Sequence, residues 1–138
     1  MSTEANDALL ARWNACGWYG LTGLEVLSAG PEGSRFRMAV GDGHLQAYGT
    51  AHGGSLAGLL DAAMGLAALA RVDSGEGCAT IEMKLNFMAP VPPGEVLATG
   101  RVVSMGRRIV VASADAALPD GTPVATALGT FMRFTDAS

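Results

Sequence analysis

Asp61 is the residue of this chain least in keeping with its neighbours. It is the only ionisable side chain between His52 and Arg71, and the stretch around it is alanine, leucine and glycine. A run that apolar is expected to be buried. A carboxylate buried without partners costs several kcal/mol after relaxation, or takes up a proton. Stability gives no reason for this placement, so Asp61 is read as a candidate catalytic carboxylate. The competing reading is an aspartate bonded to a neighbouring strand or facing solvent. Just upstream stands His52-Gly53-Gly54. The first N–H groups of a helix lack intrahelical partners, and the macrodipole makes that end partly positive. Glycine there lets a carbonyl oxygen approach a bare amide, which makes Gly53 and Gly54 a candidate oxyanion site. Two glycines before a helix also serve as a plain turn.

Asp61 follows Gly53 by eight residues, or roughly 12 Å along a helix. A carboxylate so far away cannot act on a carbonyl held at its own helix's N-terminus. It could act on one held by a second subunit, if two such helices lie antiparallel about a two-fold axis. A site built this way is composite and comes in pairs, at a dimer interface.

The elements that must position these residues follow from periodicity. Residues Glu4 to Trp18 are expected to form a helix capped by Thr3, with Leu9, Leu10, Trp13 and Cys16 on one face. A strand from Leu21 to Ala29 and the turn Gly30-Pro31-Glu32-Gly33 precede a strand that alternates Phe36, Met38 and Val40 against Arg35 and Arg37. After a glycine-rich loop, 41–53, the segment Gly54 to Asp73 reads as one helix. It is apolar on nearly every face, so it is expected to be surrounded by protein. A membrane span is disfavoured by Asp61 and by glycines 54, 58 and 65. Ile81, Met83, Leu85 and Phe87 alternate with Glu82, Lys84 and Asn86 as a half-buried strand. Val96–Ser104 and Arg108–Leu118 follow, and the Asp120-Gly121 hairpin signal leads to a last strand from Pro123 to Phe134. Short connections favour antiparallel neighbours. The sum is an α+β fold with a sheet wrapped around one long central helix.

The run Gln46-Ala47-Tyr48-Gly49-Thr50-Ala51-His52-Gly53-Gly54, with Asp61 after it, resembles the signature of hotdog-fold thioesterases. It is similar to the phenylacetic-acid-degradation and 4-hydroxybenzoyl-CoA thioesterase types. The strand ending Asn86-Phe87-Met88-Ala89-Pro90 resembles the family's third strand. The resemblance covers residues 21–134. It implies a hotdog domain over 21–138, preceded by a helical segment over 1–20. It implies that the Gly53 N–H polarises a thioester carbonyl, and that Asp61 of the partner subunit attacks it or activates a water. Gln46 would bond the carbonyl or position the nucleophile, and Thr80 would orient the carboxylate or the water. His52 would support the loop and touch the thioester, or merely cap the turn. Where some relatives carry Thr or Ser one helical turn after the acid, this chain has Gly65, which would widen the acyl pocket. Arg107 and Arg108, at a hairpin, would meet CoA phosphates or form a solvated basic turn. Trp13, Trp18 and Tyr19 read as packing, and His44 as a loop residue.

Composition sets the outer bounds. The chain has 138 residues, 49% of them apolar and 16% charged, enough for one well-filled domain. A formal net charge of −4 argues against nucleic-acid partners. Cys16 and Cys78 fit no metal or redox spacing and read as free thiols. No signal peptide is visible at the N-terminus, which favours the cytoplasm. The expected activity is hydrolysis of an acyl-CoA or aryl-acyl-CoA thioester by a homodimer or a tetramer of two dimers. It needs neither metal nor cofactor, because a thioester is already activated. The rivals are a hydratase, whose catalytic histidine sits in a different motif, and a non-catalytic acyl-CoA-binding hotdog protein.

Overall fold

The computed structural model describes residues 3–138, with side chains from residue 4 onward. The Thr3 cap expected from the sequence lies outside the described side chains. Two short helices, α1 (Thr3–Asn14) and α2 (Gly17–Thr22), lead into the strand pair β1 (Leu24–Gly30) and β2 (Gly33–Val40). The long helix α3 (Gly53–Leu69) is followed by β3 (Glu76–Phe87), β4 (Gly94–Met105), β5 (Ile109–Ala117) and β6 (Pro123–Thr135). The strands form one sheet in the order β1-β2-β4-β5-β6-β3, and every neighbouring pair is antiparallel. Helix α3 packs against the sheet, most extensively against β4 and β5. This is the α+β arrangement of a sheet around one central helix. Among the described residues no helix is long and apolar enough to cross a membrane.

The N-terminal segment departs from the single helix expected over residues 4–18. Cys16 is extended (φ −69, ψ 142) and separates α1 from α2. The reason lies in Asn14. Its side chain leaves the helix to accept from the Val26 N–H at 2.9 Å and to donate to the Val26 carbonyl at 3.1 Å, so the chain must turn there to reach β1. Helix α2 carries the chain past the expected strand start at Leu21 and ends on Gly23, in the left-handed region at φ 71, which glycine accepts freely. Tyr19 of α2 is buried and stacks edge-on against Phe36 of β2. The first helices therefore share the core of the sheet.

Two contacts seat α3. The Ser34 hydroxyl, itself buried, donates to the Ala63 carbonyl at 2.6 Å. Gly100 lets β4 approach the same carbonyl so closely that a Cβ there would stand 2.0 Å from its oxygen. The expectation that α3 is enclosed on all sides is corrected by the structure. Leu56, Leu59, Leu60, Ala63, Met64 and Ala67 are buried, whereas Gly54, Ala57, Gly58, Asp61, Ala62 and Gly65 form a stripe open to solvent or half-covered. Glycine and alanine on that stripe give it the same apolar look as the core face, so hydropathy did not separate the two. The helix also stops at Leu69 rather than Asp73, and Arg71 and Asp73 are exposed.

Strand β3, at the sheet edge, is likewise less covered than its alternation suggests: Ile81 is 53% exposed and Phe87 54%. Its pairing with β6 slips between Thr80 and Glu82, leaving Ile81 in a bulge.

Candidate active site

The bulge decides which way Thr80 faces. Strict alternation would place Thr80 with Glu82, Lys84 and Asn86, on the face opposite Phe87. The extra residue reverses the parity. Thr80 therefore turns towards α3, as do Met83 and Leu85, which pack on the core, and Phe87, whose ring lies against Gly53. Its hydroxyl donates to Asp61 Oδ1 at 2.7 Å. Asp61 sits on the open stripe of α3, half-exposed rather than buried as its neighbours in sequence suggested. One oxygen is held by Thr80, and no other side-chain bond to the carboxylate occurs among the described residues.

At the N-terminus of α3, His52 is the cap. Its backbone is extended (φ −61, ψ 139), and Nδ1 accepts from the Gly54 N–H at 2.8 Å. The Gly54 amide is thereby committed, and it is removed from the candidate substrate donors. Gly53, one residue earlier, keeps its N–H without a partner among the described residues. The macrodipole and the bare amide thus coincide at one atom.

Gln46 is spent largely on its own loop. Its Nε2 donates to Thr50 Oγ1 at 2.7 Å and its Oε1 accepts from the Tyr48 N–H. One amide hydrogen is left for any other acceptor. The loop is pinned further by His44, whose Nδ1 accepts from the Gly41 N–H and whose Nε2 meets the Thr22 carbonyl at the end of α2. His44 therefore ties the N-terminal helices to the approach to α3.

Two cavities divide these residues. Gln46, Gly53 and Leu56 face Phe87 to Val91 around a cavity of about 420 Å³. Asp61, Thr80 and Gly65 share a second cavity of about 230 Å³ with Trp13, Trp18, Tyr19 and Phe131. One chain therefore holds the amide half and the carboxylate half apart, some 12 Å along the helix. From the sequence, Trp13, Trp18 and Tyr19 read as packing. They also line this cavity, and burial, with Cys16 and Asp61 nearby, pushes the Tyr19 phenol well above its ordinary range.

Arg107 and Arg108 are exposed at the β4–β5 turn, with no ion pair among the described residues. Arg133 holds that turn by donating to the Gly106 carbonyl at 2.9 Å while its guanidinium engages Glu76 and Asp73. The Arg133 hydrogen bonds hold the Glu76 carboxyl below its usual range. The turn therefore lies beside the C-terminal end of α3, away from Gly53 of the same chain. Cys16 and Cys78 are free thiols.

The Thioesterase superfamily matches residues 48–125. Acyl-coenzyme A thioesterase 13 of Mus musculus is 30% identical over 93 residues, 67% of this chain and 66% of that protein. The chain thus spans just under two thirds of that relative's length. A conserved protein of Pseudomonas aeruginosa superposes with a TM-score of 0.84 at 31% identity, over 89% of this chain and 98% of that one. The Escherichia coli PaaI protein from the phenylacetic acid degradation operon has the same fold, with a TM-score of 0.86 at 21% identity over 96% and 94% of the two chains.

Proposed function

The chain belongs to the thioesterase superfamily, and from that premise we propose that it hydrolyses an acyl-CoA thioester to free acid and CoA at a site shared by two copies. The observation that carries this reading is the separation within one chain of an unpartnered Gly53 amide and an Asp61 carboxylate held by Thr80. Each half lacks what the other supplies.

A second copy has an obvious place to dock. Strand β3 is a sheet edge of 12 residues with unpaired backbone groups, the kind of edge that recruits another strand. Pairing two β3 edges antiparallel about a two-fold axis sets the two α3 helices side by side and antiparallel. The open stripes of Gly54, Ala57 and Ala62 then face each other, small enough for close approach, while Gly58 lies under Trp18 of its own chain. With the two-fold axis passing at Ala57, midway between the two residues, Asp61 of one protomer comes level with Gly53 of its partner.

In the reaction the Gly53 N–H donates to the carbonyl oxygen and stabilises the oxyanion as it forms. Asp61, aimed by Thr80, either attacks the carbonyl carbon or takes a proton from the attacking water. The C–S bond then breaks, and the CoA thiolate leaves and is protonated. Direct attack yields an anhydride that water opens, returning the same products. The spare amide hydrogen of Gln46 is within the same cavity as Gly53 and can support the carbonyl. Arg107 and Arg108, beyond the end of α3, reach towards the partner's half-site and suit the CoA phosphates.

Thiol release from an acyl-CoA panel tests the reading. The protein is expected to free CoA, and Asp61→Asn to lose at least about a hundredfold in kcat while remaining folded. Binding of acyl-CoA with no thiol released from any member would instead favour a non-catalytic binder.

A further inference from the structure

The cavity beside Asp61 has walls that the proposed hydrolysis does not require. Asp61, Thr80 and the Tyr19 phenol are the polar side chains in its lining, with the thiols Cys16 and Cys78, and the rest is apolar, with Trp13, Trp18, Leu66, Leu69 and Phe131 around it. The two tryptophans come from the N-terminal helices. The Trp18 ring packs against α3 where Gly58 has no side chain: a Cβ on Gly58 would stand 2.2 Å from the indole Cη2. Only glycine permits that wall. Trp13 is held from behind by Tyr19, at a ring separation of 6.0 Å, and Tyr19 in turn by Phe36. The Trp13 wall is therefore anchored in the core, whereas Trp18 is 47% exposed and rests on α3 at Gly58.

The far side is a partition. Trp13, Leu69 and Cys78 line this cavity and also a larger one of about 870 Å³ between α1, the end of α3 and the start of β3. A group entering past Asp61 meets those three side chains before any further space opens. With a methylene taken as about the size of one water, roughly 30 Å³, the cavity holds about eight carbons.

We propose that this cavity receives the acyl group, and that Trp13 and Trp18 limit it to a compact apolar one, a single ring or a chain of about eight carbons. The assignment rests on the thioester reading only for the chemistry of the ligand. Tryptophan makes the walls specific: its rings are large and rigid, and mostly apolar. An extra methylene that does not fit is rejected by about tenfold or more in such a pocket.

The two tryptophans of the chain are both in these walls, so intrinsic emission reports directly on the cavity. The full chain carrying Asp61→Asn, which prevents turnover, is titrated with CoA, acetyl-CoA, octanoyl-CoA, benzoyl-CoA and palmitoyl-CoA. Octanoyl- and benzoyl-CoA are expected to shift the emission and saturate, and palmitoyl-CoA to bind about tenfold more weakly. Adding Trp13→Ala joins the two cavities and is expected to gain about tenfold for palmitoyl-CoA relative to octanoyl-CoA. Should that variant not fold, Cys78→Ala opens the same partition from β3 with a smaller loss of packing. The proposal is overturned if CoA and octanoyl-CoA give the same response, if palmitoyl-CoA binds tightest before the partition is opened, or if the folded partition variants keep the parent's selectivity. The hydrolase reading fails separately. A parent protein with this binding profile but no thiol release would refute hydrolysis alone, and hydrolysis without an acyl-dependent emission change would refute the cavity assignment alone.

Discussion

Replacing Gly53 by proline removes a single hydrogen-bond donor and little else. Proline lacks the N–H, and the first position of a helix is where that loss matters least for folding, because the amide has no intrahelical partner. The backbone before it is already suitable: His52 is at φ −61, ψ 139, in the region that precedes proline without strain. The cap from His52 Nδ1 to the Gly54 N–H is untouched. One steric contact is added, since a Cβ at Gly53 would stand 3.2 Å from Cζ of Phe87. That ring is half-exposed and can give by a few tenths of an ångström. The variant should thus melt within about 4 °C of the parent. Loss of one oxyanion donor is expected to cost about a hundred- to a thousandfold in kcat, or about 3–4 kcal/mol of transition-state stabilisation. Gly53→Ala adds the same Cβ but keeps the N–H, so the gap between the two variants isolates the donor. Steady-state thiol release on both, with circular dichroism as the folding check, reads the result. A folded Gly53→Pro protein within about threefold of Gly53→Ala would refute the oxyanion role.

Thr80→Val removes the 2.7 Å bond to Asp61 at little cost in shape, and kcat should fall about tenfold with KM nearly unchanged, as measured by steady-state kinetics. Gly100→Ala forces a methyl against the Ala63 carbonyl, 2.0 Å from its oxygen; chemical denaturation should show a loss of about 3 kcal/mol or outright failure to fold. Arg107→Ala with Arg108→Ala should raise KM for acyl-CoA at low salt while leaving kcat alone, the raised KM converging on the parent's as salt screens the phosphates. An unchanged KM would return the pair to a solvated turn.

The layered fold could be read from the sequence because its signals are local. Phe36, Met38 and Val40 alternate with charged residues and are indeed buried, and the order of helix and strands follows from turn chemistry. The open stripe on α3 could not be read, because Gly54, Ala57 and Ala62 look alike whether they face a core or open space. The orientation of Thr80 depends on a bulge that leaves no mark in composition, and simple parity places the side chain on the wrong face. Asn14 broke the expected first helix through a bond to Val26, twelve residues away, a tertiary competition that no helix propensity contains. The aromatic cavity was missed for the same reason. Trp13 and Trp18 meet Asp61 only once α1 and α2 fold back onto α3.

Mixing two inactive proteins tests the shared site most directly. Asp61→Asn and Gly53→Pro are each unfolded and refolded together in equal amounts, and thiol release is followed. If each site draws Gly53 from one chain and Asp61 from the other, half of the dimers are mixed and each carries one intact site, so activity should return to about a quarter of the parent's. If both groups act from the same chain, every site in the mixture is defective, and no activity above that of the separate variants would be recovered.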